Sequence, residues 1–508
     1  MKLEIMDTTL RDGEQTSGVS FNALEKLNIA KILLCEVKVD RIEIASARVS
    51  EGEFEAVQKI MEWADQNNLN ERIEILGFID KNASLDWIKD AGARVVNLLA
   101  KGSLLHVKEQ LRKTPEEHLA DLASAIEYAT SKDIICNLYL EDWSNGMIHS
   151  PDYVYFLADT LKDMNLRRLM LPDTLGILNH EQTYEFCSKM LERYPDLHID
   201  FHAHNDYDLA TANVYSSIRA GVHGVHTTVN GLGERAGNVP ISSVMGILND
   251  HLHVEHNVDE SKLTKISRLV ESFSGIRVPE NKPLIGENVY TQTCGVHADG
   301  DSKNNLYFNE LMPERFGRTR KYALGKTSGK ANITKNLEEL GLDLDLESTK
   351  MVTQRIIELG DKKETVTTED LPYIISDVLE GIDLHQPIKV KSYALTLANG
   401  LRPIANIIIE INGKDYEESS IGDGQYDAFM KALWKIYTVQ LGRKRPILVD
   451  YIVTIPPGGK TDALVEAVIT WEFKEREFKT KAVEADQTEA AIKATEKMLN
   501  IIERNHFK

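Results

Sequence analysis

Cysteine is scarce. The 508 residues hold only four, Cys35, Cys136, Cys187 and Cys294, widely scattered and without a CxxC pair. That spacing excludes the disulfide framework of a secreted protein and reads as reduced thiols in a cytoplasm. Positive charge is also short: 59 Lys and Arg face 79 Asp and Glu, for a net charge of -20. The field of such a surface repels nucleic acid and anionic membranes, so an anionic substrate needs a local basic patch. No apolar run reaches the length of a signal core or a membrane span, and Met1 to Met6 leads at once into a strand-like segment. A soluble protein that stays in the cytosol is expected. A chain this long exceeds one ordinary core, so two or three domains are expected.

What is present is an alternation of short β-branched runs with amphipathic helical stretches, up to about residue 255. The runs are Leu3–Asp7, Arg41–Ala45, Ile73–Phe78, Val95–Leu99, Ile134–Leu140, Arg168–Leu171, Ile199–Phe201 and Gly224–Val229. Eight such strands predict an α/β fold, a (β/α)8 TIM barrel over residues 1–255, with its active site at the C-terminal ends of the strands. Polar clusters follow that rule: Arg11-Asp12 after strand 1, Glu141-Asp142 at strand 5, Pro172-Asp173-Thr174 at strand 6, His202-x-His204 at strand 7, and a Gly-rich segment, Asn230 to Asn238, after strand 8.

Residues 256–385 turn mostly helical and read as lid or linker subdomains, with an irregular stretch from Thr291 to Lys330. Gly325-Lys326-Thr327 is no phosphate-binding loop, because position 320, where that motif needs Gly, is Arg320. The basic group Arg315, Arg318, Arg320, Lys321, Lys326 and Lys330 is either a phosphate contact or a solvated face. Residues 386–508 hold two βββα units about 60 residues apart, an α+β domain suited to ligand binding, regulation or dimerisation.

Side chains alternate faces along a strand, so His202 and His204 point the same way, and Asp12 from another strand end completes a facial triad for a divalent metal with positions left open. Asn238 is either a fourth, oxygen ligand or a turn cap. Arg11 places a permanent cation where a carbonyl oxygen gains negative charge. Glu141 ends an apolar strand, where desolvation would raise its pKa toward acid/base work. Thr174 offers a hydroxyl to a substrate carboxylate. His297 and Tyr307 lie in the lid region. Together these groups suit the polarisation of a 2-oxo acid.

The segments Leu10-Arg11-Asp12-Gly13-x-Gln15, His202-x-His204-Asn205-Asp206, Asn230-Gly-x-Gly-Glu-Arg-x-Gly-Asn238 and Thr291-Gln-Thr-x-Gly-Val-His297 resemble the isopropylmalate, homocitrate and citramalate synthase family of metal-dependent Claisen-condensing enzymes, the DRE-type TIM-barrel metallolyases. The C-terminal domain resembles that family's leucine/isoleucine-responsive regulatory domain. The segment Tyr139 to Gly146 is nearest to the citramalate-forming type, an acyltransferase that condenses pyruvate with acetyl-CoA and releases CoA, at the first step of threonine-independent isoleucine synthesis.

The resemblance implies the following roles. Asp12, His202, His204 and Asn238 hold the metal, Mn2+ in use or else Zn2+ or Co2+. Arg11, Asp12, Tyr139 and Thr174 bind pyruvate, with Leu76, Leu99 and Tyr139 as walls around its methyl. Arg11, Glu141, His297 and Tyr307 are catalytic, and acetyl-CoA is the co-substrate. It further implies a homodimer in which the lid carrying His297 reaches into the partner's barrel. Tyr426, Asp427, Leu448, Tyr451, Ile455, Thr461, Val465 and Gln487 match an effector pocket for isoleucine, with Ala485 a departure from the pattern. The alternatives are an isopropylmalate-forming enzyme acting on 2-oxoisovalerate, a non-catalytic amino-acid sensor, and a metal-dependent hydrolase or lyase.

Overall fold

Eight strands pair in parallel in chain order and close on themselves: β1 (Glu4–Asp7), β2 (Arg41–Ser46), β3 (Ile73–Gly77), β4 (Val95–Lys101), β5 (Ile135–Glu141), β6 (Arg168–Asp173), β7 (Ile199–Ala203) and β8 (Gly224–Thr227). Closure runs from Glu4↔Gly224 to Asp7↔Thr227. This is the expected TIM barrel. The computed structural model describes residues 2–303, 306–307, 309–339, 342, 344–361, 366, 368–378, 387–454, 465–474 and 476–503. The chain divides into two units, one of Met1–Tyr290 with Phe308–Arg320 and one of Thr291–Tyr307 with Lys321–Lys508.

Period-two alternation sorts each barrel strand. Outward side chains such as Leu98, Leu138, Leu140, Leu171 and Phe201 pack under the helices as one core. The helices present matching stripes: Glu51–Gln66, N-capped by Ser50, buries Ala56, Val57, Ile60, Met61 and Ala64 at helical spacing. Inward side chains change character along the strand. β4 gives Asn97, Leu99 and Lys101, β5 gives Asn137, Tyr139 and Glu141, and β7 gives Asp200 and His202. Strands 4 to 7 run one or two residues beyond the expected ends, because pairing continues through Lys101↔Glu141 and Asp173↔Ala203. Glu141, Asp173 and His202, expected at strand ends, therefore sit within paired strand.

The N-terminal end of the barrel is closed by buried charge. Arg41 reaches Glu74 at 2.9 Å, Glu4 at 3.2 Å and also Asp200. Burial alone would raise the Glu74 and Asp200 carboxyls, but the Arg41 guanidinium holds both below their ordinary values. Arg315, from the basic group, is spent inside the first unit on Asp250 and Glu260 at 2.7 and 3.1 Å.

The second unit contains a helical cluster built on Ile333, Val352, Ile356 and Leu371. It also contains two antiparallel sheets, Ile388–Thr396 with Ile404–Ile411 and Lys414–Ile421, and Ile447–Thr454 with Val465–Phe473 and Arg476–Glu484. Helices Gln425–Trp434 and Gln487–Glu503 follow them, which makes the expected βββα pair. Among the described residues, no helix is long and apolar enough to cross a membrane.

Replacing Arg41 by Met removes the principal cation from two buried carboxylates, leaving Glu74 with Arg167 at 3.3 Å and Asp200 with the His198 and His226 rings at 3.2 and 3.3 Å, at an expected cost of about 3–5 kcal/mol near pH 7 in urea unfolding. In the natural chain their depressed pKa values contribute stability above the unfolded value of about 4, lost as pH falls through the folded values. Without Arg41, burial pushes both carboxyls up, so the variant is relieved on acidification. The gap between the two proteins should therefore narrow from about pH 7 to about pH 5, and a gap that stays constant contradicts the assignment.

Candidate active site

The loop after β1 carries Arg11 and Asp12 and is tied down from several sides. Thr9 Oγ1 accepts from the Val229 N–H at 2.8 Å, and Thr8 Oγ1 donates to Glu43 at 2.8 Å. Lys26, fully buried, donates to the carbonyls of Leu10 and Ile44 at 3.2 Å each and pairs with Glu14 at 2.6 Å and Glu53 at 2.5 Å. Arg11 Nε donates to Glu43 Oε2 at 2.6 Å, and its Nη1 lies 3.4 Å from Asp12 Oδ2. Asn97 donates to Glu43 Oε1, and Asn137 to Asn97 Oδ1, each at 2.8 Å. A line of buried polar groups thus runs from Asp12 into the barrel.

At the mouth, Asp12 Oδ2 lies 3.2 Å from His202 Nε2 and 3.8 Å from His204 Nε2. Burial would raise the Asp12 carboxyl, but Arg11 and the two rings overturn that and hold it below the carboxylate range. Burial pushes His204 down to about 4, so its ring is neutral at pH 7 and a nitrogen lone pair is available. Both Asp12 oxygens, the Nδ1 atoms of His202 and His204, and Asn238 Oδ1 are buried without a hydrogen-bond partner. Buried polar atoms are ordinarily satisfied, so this set of donor atoms fits a divalent ion. Asp12, His202 and His204 bring their ligand atoms within 4.8 Å of one another.

Asn238 is set beside His204 by an antiparallel bridge, and its amide nitrogen donates to the Leu232 carbonyl at 3.3 Å, leaving Oδ1 free. Gly233, at φ 153°, allows this turn, since a Cβ there would overlap the Asn238 amide.

Leu76, Leu99 and Tyr139 do come together, packed with Met6 and Met170 inside the barrel. The Tyr139 ring stands edge-on to His202 at 6.1 Å, lies 5.8 Å from the Arg11 guanidinium carbon, and its hydroxyl meets His226 Nδ1 at 3.0 Å. Thr174 Oγ1 accepts the Asp142 N–H at 2.8 Å, which leaves its own proton to be donated. Glu141 departs from expectation. Its side chain is 25% exposed and ion-paired with Lys101, so it does not lie in a desolvated apolar pocket.

His297 and Tyr307 belong to the second unit, where their rings lie 4.2 Å apart and tilted by 32°. Also there, Tyr426 and Tyr451 face each other at 5.3 Å, and Tyr426 shares a 2.7 Å hydrogen bond with Thr495. Asp427 turns to Lys431 at 2.7 Å, Leu448 lies on strand Ile447–Thr454, Val465 opens strand Val465–Phe473, and Gln487 opens the last helix. Ile455 and Thr461 lie outside the described residues.

Three residues were missed from sequence. Glu43 and Lys26 anchor the metal-side loop, and Lys101 meets Glu141. The available signal was a charge inside an apolar stretch, as in Ile42-Glu43-Ile44, or at a strand end. Stoichiometric Mn2+ binding, followed by the paramagnetic resonance of the bound ion, should disappear in Asp12→Ala while the fold is kept. Undiminished binding would remove Asp12 from the centre.

Three family models match the chain in succession: HMGL-like over residues 2–270, homocitrate synthase post-HMGL domain-like over 284–364, and LeuA allosteric (dimerisation) domain over 365–503. A Methanopyrus kandleri protein provisionally named (R)-citramalate synthase is 36% identical over 433 residues, which covers 85% of this chain and 83% of that one. Two Methanocaldococcus jannaschii proteins match almost end to end. Its (R)-citramalate synthase is 32% identical over 99% of this chain and 100% of its own, and its 2-isopropylmalate synthase 34% over 97% and 93%. Identities so close do not choose between the two. With more than half its length matched by one model and these relatives matched nearly throughout, the chain belongs to the HMGL-like family.

Proposed function

We propose that this chain joins the methyl carbon of acetyl-CoA to the carbonyl carbon of pyruvate and then hydrolyses the thioester, giving (R)-citramalate and CoA. The observation that carries this reading is the position of Tyr139. One ring belongs to the apolar wall with Leu76 and Leu99 and also touches Arg11 and His202. A small oxo acid placed there has its methyl on the wall and its oxygens toward the cation and the candidate ligands. The named relatives support a condensing enzyme, a transferase, of this kind.

A divalent ion held by Asp12, His202, His204 and Asn238, Mn2+ in this reading, supplies Lewis acidity to the oxo group. The protein's own groups do the rest. His297, brought in this reading by the lid of a second copy, takes a methyl proton from acetyl-CoA. The resulting carbanion attacks the oxo carbon, and the carbonyl electron pair moves to oxygen, where the Arg11 guanidinium stabilises the alkoxide. Thr174 donates to the carboxylate. Glu141, at the mouth, handles the proton transfers that neutralise the alkoxide and admit water to the thioester, and CoA leaves as the thiol. The terminal βββα units, matched by the LeuA allosteric (dimerisation) model, support a homodimer under allosteric control; in this reading the feedback inhibitor is isoleucine, bound around Tyr426 and Tyr451.

Thiol release from acetyl-CoA with Mn2+ should be faster with pyruvate than with 2-oxoisovalerate. The opposite order would assign an isopropylmalate-type activity, and no turnover with any oxo acid would favour a sensor. Leu99→Ala should shift the preference between 2-oxobutyrate and pyruvate, measured as the ratio of their specificity constants, toward 2-oxobutyrate by roughly 10-fold or more, the worth of a methylene in an apolar pocket. An unchanged ratio removes Leu99 from the wall. Isoleucine should inhibit more strongly than leucine in the same assay, and equal or absent inhibition contradicts the effector assignment.

A further inference from the structure

One buried cation at the mouth has no part in the reading above. Lys101 ends β4 and is the register partner of Glu141, the last residue of β5. One step back along the same inward face lie Leu99 and Tyr139, the wall residues. The Lys101 side chain is 10% exposed and its ammonium is paired with Glu141. Among the described residues, Glu141 has no other side-chain partner, so its second oxygen is unengaged on a side chain that is partly exposed.

The surrounding backbone is fitted to this pair. The Gly102 N–H donates to the Glu141 carbonyl at 2.6 Å, and a Cβ on Gly102 would fall 2.5 Å from the Leu140 carbonyl oxygen. Gly146 in turn packs directly on the Gly102 carbonyl. Tyr153 donates its hydroxyl to the Lys101 carbonyl at 3.0 Å, and His118 Nε2 accepts the Lys101 N–H at 3.4 Å. His118 and Tyr153 meet each other at 2.8 Å. Burial pushes His118 down to about 4, which keeps its ring neutral and able to accept. Both main-chain groups of Lys101 are thus fixed by buried side chains. An exposed Lys–Glu pair needs no such framework and contributes little to stability.

We propose that Lys101 is a positioning residue for Glu141: it holds one carboxylate oxygen so that the other faces the reactants. The proposal rests on the condensing activity inferred above, with Glu141 at the proton transfers. Lys101 then acts through Glu141 and does not touch pyruvate.

The test is a cycle of Lys101→Met, Glu141→Gln and the double variant, assayed for thiol release with pyruvate and for Mn2+ affinity by the resonance of the bound ion. Lys101→Met should lower kcat roughly 10²-fold, within the range of a displaced acid/base group. KM for pyruvate and Mn2+ affinity should stay within about twofold of the natural chain, and Lys101→Arg should recover part of kcat. The double variant should be no slower than Glu141→Gln alone, because groups that act as a unit are not additive. Fully multiplicative losses, a raised KM at preserved kcat, or an unchanged kcat in Lys101→Met would each overturn the proposal. If Lys101→Met does not fold, Lys101→Gln carries the same comparison. Absence of turnover in the natural chain sinks the condensing activity and this proposal with it. Normal turnover with an indifferent Lys101→Met sinks this proposal alone.

Discussion

Asp12 is a carboxylate sealed in the barrel mouth with neither oxygen hydrogen-bonded, and the neighbouring structure is arranged around that cost. A buried charge without a partner costs several kcal/mol. Arg11 offsets part of it, but Arg11 is itself nearly buried and leans on Glu43. Glu43 is then satisfied by Thr8, Arg11 and Asn97, and Asn97 by Asn137. Lys26 closes the arrangement from the helix side by holding the Leu10 carbonyl and Glu14. Each charge leans on the next, and the arrangement that results sets Asp12 against two imidazoles.

The barrel interior is graded along its axis as a consequence of period-two alternation. Arg41, Glu74 and Asp200 close the N-terminal end, Met6, Met170, Leu76, Leu99 and Tyr139 fill the middle, and Lys101, Glu141, His202 and Asp12 line the mouth. The largely apolar middle lies between two ionic layers and is crossed on one side by Glu43, Asn97 and Asn137 and on another by the Tyr139–His226–Asp200 contacts. It gives the mouth a floor of side chains, Leu76, Leu99 and Tyr139 among them, and in the proposed reading that floor sets substrate size while the rim carries the chemistry.

Much of this was legible in sequence where a pattern is local. The eight strands, His202-x-His204 and the terminal repeat each declare themselves within a few residues. Strand ends ran longer than expected because cross-strand pairing, which depends on a neighbour about 30 or more residues away, carries Lys101 and Asp173 into the sheet. Glu43 and Lys26 were harder to read. A barrel strand is buried on both faces, so Glu43 shows only as a charge among apolar neighbours, with no periodic signature; Lys26 lies on the helix Ala23–Lys31, and in both cases what satisfies the charge comes from distant segments. The same reason explains Glu141: its apolar neighbours suggested desolvation, but the residue that decides its surroundings is Lys101 on the adjacent strand.

In the proposed reading the Arg11-Asp12 loop, His202 at the end of β7 and His204 just beyond it hold a divalent ion against bound pyruvate. The most direct test of this is the paramagnetic resonance of Mn2+ bound to the natural chain, recorded as pyruvate labelled with 13C at its oxo carbon is added without acetyl-CoA. The account predicts a spectrum that changes on addition and shows coupling to the label. A bound ion whose spectrum is indifferent to pyruvate would contradict it.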